Sequence, residues 1–151
     1  MARVPVPVVV AILLNRHRVF MVKRTRTGQL PNQWEFPGGK VKVGEPPEAA
    51  LRRELREELS LRVGRLVLFG AQSHVYDLQE EALHYVLLAY RANVRDGAWS
   101  RSGRWMDAGT LGKARVVEGS RALVSELIDA GLVHAARRQA TNRGGTALRS
   151  S

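Results

Sequence analysis

Five of the fourteen acidic residues, Glu45, Glu48, Glu54, Glu57 and Glu58, fall within fourteen consecutive positions of an otherwise basic chain. Pro46 and Pro47 suit the first turn of a helix, where a missing N–H costs little, and good helix formers follow as far as Leu59. At about 100° per residue, Glu54, Glu57 and Glu58 spread over roughly a 100° arc beside an apolar stripe of Leu51, Leu55 and Leu59. Three carboxylates on one patch repel each other. The Glu54/Glu58 pair at i,i+4 costs the helix about 0.2–0.5 kcal/mol. Glu57 and Glu58 lie near the negative end of the helix dipole, a further ~0.3–1 kcal/mol each. A bound divalent cation would turn these costs into an attraction, and hard oxygen donors suit Mg²⁺ or Mn²⁺. The competing account is a solvated face on which Arg52, Arg53 and Arg56 pair with the carboxylates. What weighs against it lies just upstream. Trp34-Glu35-Phe36-Pro37-Gly38-Gly39-Lys40 has the form of a short strand ending in a sharp Gly-Gly turn, where backbone can come close to a ligand or ion.

From Gly39 to Leu61 the chain follows the pattern G-x5-E-x7-R-E-U-x-E-E-x-G-U, with U aliphatic, at Gly39, Glu45, Arg53, Glu54, Leu55, Glu57, Glu58 and Leu61. Only Ser60, where the pattern has glycine, departs from it. This segment resembles the Nudix box, and the Trp-Glu-Phe-Pro-Gly-Gly-Lys run before it resembles the MutT-type branch of that family. The resemblance implies an α/β (α+β) architecture, a mixed β-sheet held between helices, over residues 4 to about 133. It also implies Mg²⁺-dependent hydrolysis of a pyrophosphate bond in a nucleoside diphosphate-X substrate, foremost a nucleoside triphosphate cleaved to monophosphate and pyrophosphate. On that pattern the metal ligands are Glu54, Glu57, Glu58 and the Gly38 carbonyl. Arg53 orients the carboxylates, and Glu45 braces the loop or joins the metal site. Arg24 matches an arginine that contacts substrate in MutT-type enzymes. Phe36 comes from the same strand as the glycines and is placed either against a base or in the core, with the core favoured.

Three departures qualify the resemblance. MutT-type proteins carry a late carboxylate just before a tryptophan. Here the match is Ser102-Gly103-Arg104-Trp105, so Arg104 replaces the acid and is either a phosphate contact or a solvated residue. The general base must then come from the box helix, from Glu45, or from Asp107, Asp77 or Glu80. The asparagine that reads oxidised guanine in MutT falls near Glu118, which weakens an expectation of oxidised-guanine specificity. Ser60 occupies a position where glycine would cap the helix in a left-handed conformation, so its effect is expected on stability more than on chemistry. Two rival functions stay open: the same fold acting on RNA 5′ ends or dinucleoside polyphosphates, and a non-catalytic nucleotide-binding module. A pure binder has no need of three mutually repelling carboxylates, which argues against the second.

With 151 residues and 44% hydrophobic content the chain has the size of one domain with a real core. It has no cysteine, so disulfides, thiol nucleophiles and thiolate metal sites are excluded. The apolar run 4–14 carries Pro5 and Pro7 and is too short to span a membrane, so it is a first strand and no membrane partner is expected. A cytoplasmic setting is the default. The net charge of +10 comes mainly from arginine, twenty against four lysines. It favours an anionic small-molecule nucleotide partner and permits nucleic acid without demonstrating it. Residues 134–151 form a basic tail with no acidic residue and no periodicity, expected to be disordered; a tail that docked would point to a homodimer interface. Strands are predicted over 6–14, 19–25, 35–37, 65–73, 83–92 and 104–106, and a second amphipathic helix over 118–130.

Overall fold

The computed structural model describes residues 4–24, 32–78, 81–97, 99 and 103–137. The elements run β1 (Val6–Ile12), β2 (Leu14–Asn15), β3 (Arg18–Lys23), β4 (Trp34–Glu35), β5 (Gly38–Lys40), α1 (Pro47–Leu59), β6 (Leu61–Leu78), β7 (Glu81–Gly97), β8 (Gly103–Met106), α2 (Ala108–Lys113) and α3 (Glu118–Asp129). One mixed sheet has the order β5-β1-β7-β6, with β1 parallel to β7 and its other pairs antiparallel. A second, antiparallel sheet joins β2, β3 and β4, with β8 on the other edge of β3.

Alternation along β1 explains its unbroken apolar sequence. Val9 and Ala11 face a core cluster that holds Ala50, Leu51, Leu55 and Leu59 of α1. Val10 and Ile12 face the opposite cluster, with Leu123 and Leu127 of α3. The neighbouring β7 divides in the same way: Tyr90 and Ala92 go toward α1, Leu87 and Ala89 toward α3. A strand with helices on both sides has no wet face and therefore no polar positions in its interior. The expected sheet between helices is present.

Differences lie in the hairpin and the loops. The β6 and β7 strands are 18 and 17 residues long and pair from Leu61↔Gly97 to Leu78↔Glu81. The expected strands covered only their middles. Register shifts at Arg62/Val63, Val63/Leu66 and Leu68/Gly70 break the two-residue alternation by which strand ends are recognised. The short helix α2 was not anticipated: its sequence, AGTLGK, carries two glycines, and its start is fixed by Asp107, whose side chain accepts from the Thr110 N–H. The body also continues past Val133. The His134 N–H donates to the His17 carbonyl, the two histidine rings stack at 4.3 Å, and the Ala136 N–H donates to Asp107. The rest of the basic tail, from 138 on, lies outside the described residues.

Helix α1 ends at Ser60, which takes the left-handed conformation (φ 52°, ψ 32°) with its N–H turned to the Arg56 and Leu55 carbonyls. A non-glycine residue pays about 1 kcal/mol or more for this backbone. Ser60→Gly is therefore expected to stabilise the fold by about 1 kcal/mol, a rise of ~2–4 °C in Tm for a chain of this size. Thermal unfolding of the two proteins checks it, and an unchanged or lowered Tm would contradict it.

Candidate active site

The two glycines before the helix are steric requirements. Gly38 pairs with Val10 of β1, at φ 154°, and a Cβ there would sit 1.9 Å from the Val9 carbonyl oxygen. At Gly39 a Cβ would sit 2.3 Å from Cδ of Glu54. The bare backbone of β5 is thus what lets the Glu54 carboxylate lie down on the strand. Alternation along β5 also sets the carbonyls. The Lys40 carbonyl accepts from Arg53 Nη2 at 3.2 Å, and Gly38, two residues back, directs its carbonyl to the same edge.

Arg53 is the hub. Its Nε donates to Glu45 Oε2 at 2.8 Å and its Nη2 to Glu45 Oε1 at 2.9 Å, a bidentate fork. The other Nη2 bond goes to the Lys40 carbonyl. Nη1 donates to Glu54 Oε1 at 2.9 Å and to Glu57 Oε2 at 3.3 Å. These five contacts match the five N–H donors a guanidinium has. One cation thereby ties the loop (Glu45), the strand (Lys40) and two turns of helix (Glu54, Glu57). Its pKa is raised, first by the bond to Glu45 and then by that to Glu54.

The carboxylates differ in freedom. Glu45 accepts from Arg53 and from the Lys42 N–H, and these bonds hold its pKa down at about 2. Glu54 is mostly covered, with a side chain 16% exposed, whereas Glu57 is 58% exposed and makes only the one longer bond. Glu58 is exposed on the same helix end. Because the Glu45 pKa is depressed below its ordinary 4.5, the brace contributes fully above that pH and is lost as pH falls toward about 2. Glu45→Gln should therefore be less stable than the parent at neutral pH, the gap narrowing as pH falls from 4.5 to about 2. Acid-unfolding curves of both proteins check this; a gap independent of pH would contradict it.

Donor chemistry fits a divalent cation: Glu54, Glu57, Glu58 and the Gly38 carbonyl offer hard oxygens only. As the side chains lie here, no three His, Asp or Glu residues among the described residues surround an ion-sized space. Arg53 stands between the carboxylates instead, and Glu57, 58% exposed and held by one 3.3 Å bond, has room to turn.

The other expected residues separate. Phe36 is 2% exposed and packs in the α3-side core with Val10 and Leu123, so its assignment to substrate binding is corrected to a core role. Arg24 pairs with Glu35 at 3.7 Å. Arg104 is exposed on β8 opposite Met21, on a strand rather than in a loop, and lies over the Trp34 ring at 5.7 Å, a cation–π contact. Asp107 is occupied as the cap of α2, its pKa lowered by the Thr110 N–H, which removes it as a base. Glu80 lies outside the described residues.

A hollow of about 360 Å³ opens at Gln33, whose carbonyl accepts from the Arg24 N–H. It is lined by His74, Tyr76 and Asp77 of the hairpin, by Gln33, and by Arg115 and Glu118. The Trp34 backbone brings these together: its N–H donates to the Arg115 carbonyl at 2.7 Å and its carbonyl accepts from the Val117 N–H at 2.9 Å. The Tyr76 hydroxyl then accepts from the Gly119 N–H at 2.7 Å. Glu35, within this neighbourhood, has its pKa raised by burial, with Arg24 opposing. Sequence reasoning passed over Glu35 as a site residue. The only signal was a carboxylate in a half-buried strand position immediately before the buried phenylalanine.

The Nudix domain model matches residues 4–127. The chain belongs to the Nudix family. Among curated Nudix relatives, the 8-oxo-dGTP diphosphatase of Escherichia coli K12 is 30% identical over 100 residues, covering 66% of this chain and 78% of its own length. That of Proteus vulgaris is 33% identical over 78 residues, covering 51% of this chain and 70% of its own. The MutT Nudix hydrolase of Burkholderia pseudomallei superposes with a TM-score of 0.71 at 25% identity, over 83% of this chain and 99% of that one. This is therefore a MutT-type Nudix enzyme, a pyrophosphohydrolase acting on nucleotides. No helix among the described residues is long and apolar enough to cross a membrane.

Proposed function

We propose that this Nudix enzyme cleaves a nucleoside triphosphate to the monophosphate and pyrophosphate, using Mg²⁺ or Mn²⁺ held by Glu54, Glu57, Glu58 and the Gly38 carbonyl. The observation that carries this is the five-donor Arg53 hub, which holds Glu54 and Glu57 side by side over a glycine backbone. When bound, the cation would neutralise phosphate charge and acidify the attacking water. The chain's own residues supply the rest. Glu57, exposed and held by one bond, takes the proton from water, with Glu58 the alternative acceptor on the same helix end. Glu45 cannot serve, since both its oxygens are engaged and its pKa is about 2. Arg53 keeps Glu54 and Glu57 from drifting apart as substrate enters. The hollow by Tyr76 receives the nucleoside, and Arg24, whose charge acts on the Tyr76 hydroxyl, contacts phosphate or sugar.

The relatives' names bring oxidised guanine into consideration. At Glu118 this chain offers only acceptors, where an asparagine amide would both donate and accept. The deciding experiment incubates the protein and Mg²⁺ with the common triphosphates, 8-oxo-dGTP, ADP-ribose, nucleotide sugars and dinucleoside polyphosphates. Turnover of a triphosphate to monophosphate and pyrophosphate is expected. Turnover confined to the dinucleotides or sugars would replace the reading, and no turnover at all would end it.

A further inference from the structure

On α1, Arg52 and Arg56 stand one turn apart on a different face from Glu54 and Glu57. The chain reverses at Ser60 and returns as β6, laying Leu61, Arg62 and Val63 beside them. Together Arg52, Arg56, Leu61, Arg62 and Val63 line a hollow of about 270 Å³. Part of it is built. Arg52 Nη1 donates to the Val63 carbonyl at 2.7 Å, which fixes one guanidinium at the wall. Arg95 lies across Gly64, where a Cβ would sit 3.0 Å from its Nε, so a fourth guanidinium stands next to the residue that follows Val63 on β6. Asp96 pairs with Arg62 at 3.8 Å, with both side chains well exposed (74% and 62%). Such a pair is weak in water. The Arg56 carbonyl accepts from the Ser60 N–H, and its side chain is exposed beside the hollow.

We propose that this hollow binds a run of two or more adjacent phosphates. Like-charged guanidiniums gathered at one concavity repel unless an anion joins them, and their planar forks match phosphate oxygens two at a time. The hollow has no aromatic wall, so it offers nothing for a base to stack on; it is also small for a nucleoside. It lies on the catalytic helix but shares none of the carboxylates, so the inference does not depend on which substrate is hydrolysed.

Binding is measured by calorimetry on the full chain in EDTA, which keeps divalent cations from carrying phosphate to the carboxylate face. Inorganic pyrophosphate and an RNA oligonucleotide with a 5′-triphosphate are the two probes; the same oligonucleotide with a 5′-hydroxyl is the control. Saturable binding is expected for pyrophosphate, or for the triphosphate end alone if the phosphates belong to RNA. Glu57→Gln should bind as tightly as the parent. Arg56→Ala with Arg62→Ala should weaken binding at least tenfold and flatten its salt dependence. Arg56→Gln with Arg62→Gln, which keeps most of both stems, serves the same test if the alanine pair fails to fold. Absence of binding, equal binding of the 5′-hydroxyl control, or a folded double variant that binds like the parent would each overturn the proposal.

Discussion

Replacing Arg53 by lysine is expected to lower kcat/KM by about 100-fold, the upper range for losing a residue that orients metal-holding carboxylates. Charge is kept, so charge alone cannot explain the loss. An ammonium has three donors and no fork, whereas Arg53 spreads five contacts over Glu45, Glu54, Glu57 and the Lys40 carbonyl. Lysine can satisfy one carboxylate and leaves the others to repel. On the proposed reading Arg53 acts through Glu54 and Glu57, so the Mg²⁺ concentration at half-maximal rate should rise with the loss in kcat. Kinetics across a Mg²⁺ series provide the check. A variant within about threefold of the parent at every Mg²⁺ concentration would reduce Arg53 to a surface ion pair, of the kind worth ~1 kcal/mol or less.

Glu57→Gln should have a larger effect on kcat, about 10³-fold, comparable with removing a preorganised group that acts in the transition state. The amide keeps the shape of the side chain and can still accept from Arg53, but it cannot take a proton or hold a cation strongly. Stability should move by no more than about 0.5 kcal/mol. Glu57 sits at the unfavourable end of the helix dipole, and its 3.3 Å bond to Arg53 offsets part of that cost. Single-turnover rates and thermal melts on the same preparation separate the two effects. Near-parental turnover would place the metal and the base elsewhere.

How much could be read beforehand depended on how local each feature was. The helix at 47–59 was legible because its apolar stripe, its proline start and its left-handed end all lie within one stretch of chain. Gly38 and Gly39 were legible as a close approach, but the partners of that approach were not. One glycine makes room for β1 and the other for the Glu54 carboxylate, rather than for a ligand. Arg53 was expected to orient the carboxylates, yet the Lys40 carbonyl as its fifth acceptor needed the fold. Arg104 shows the limit in the other direction. An alignment offset named it as a substitute for an acid, whereas its position across Met21 gives it the Trp34 ring. Glu35 and the hollow around Tyr76 depend on residues 33–35, 74–77 and 115–119 meeting, which no local pattern reports.

The pairing of β1 with β7 has a bearing on how the chain is made. Val6 to Ile12 run alongside Tyr85 to Arg91, so β1 leaves a ribosome some eighty residues before its parallel partner. At about 5–20 residues per second the delay is of the order of ten seconds, during which the sheet under α1 lacks the strand that joins β1 to β6. Non-local parallel pairing of this kind also raises contact order and slows refolding. Helix α1 can form early from its own sequence and rest on β1 and β5, but its apolar bed is completed by Tyr90 and Ala92 only when β7 emerges.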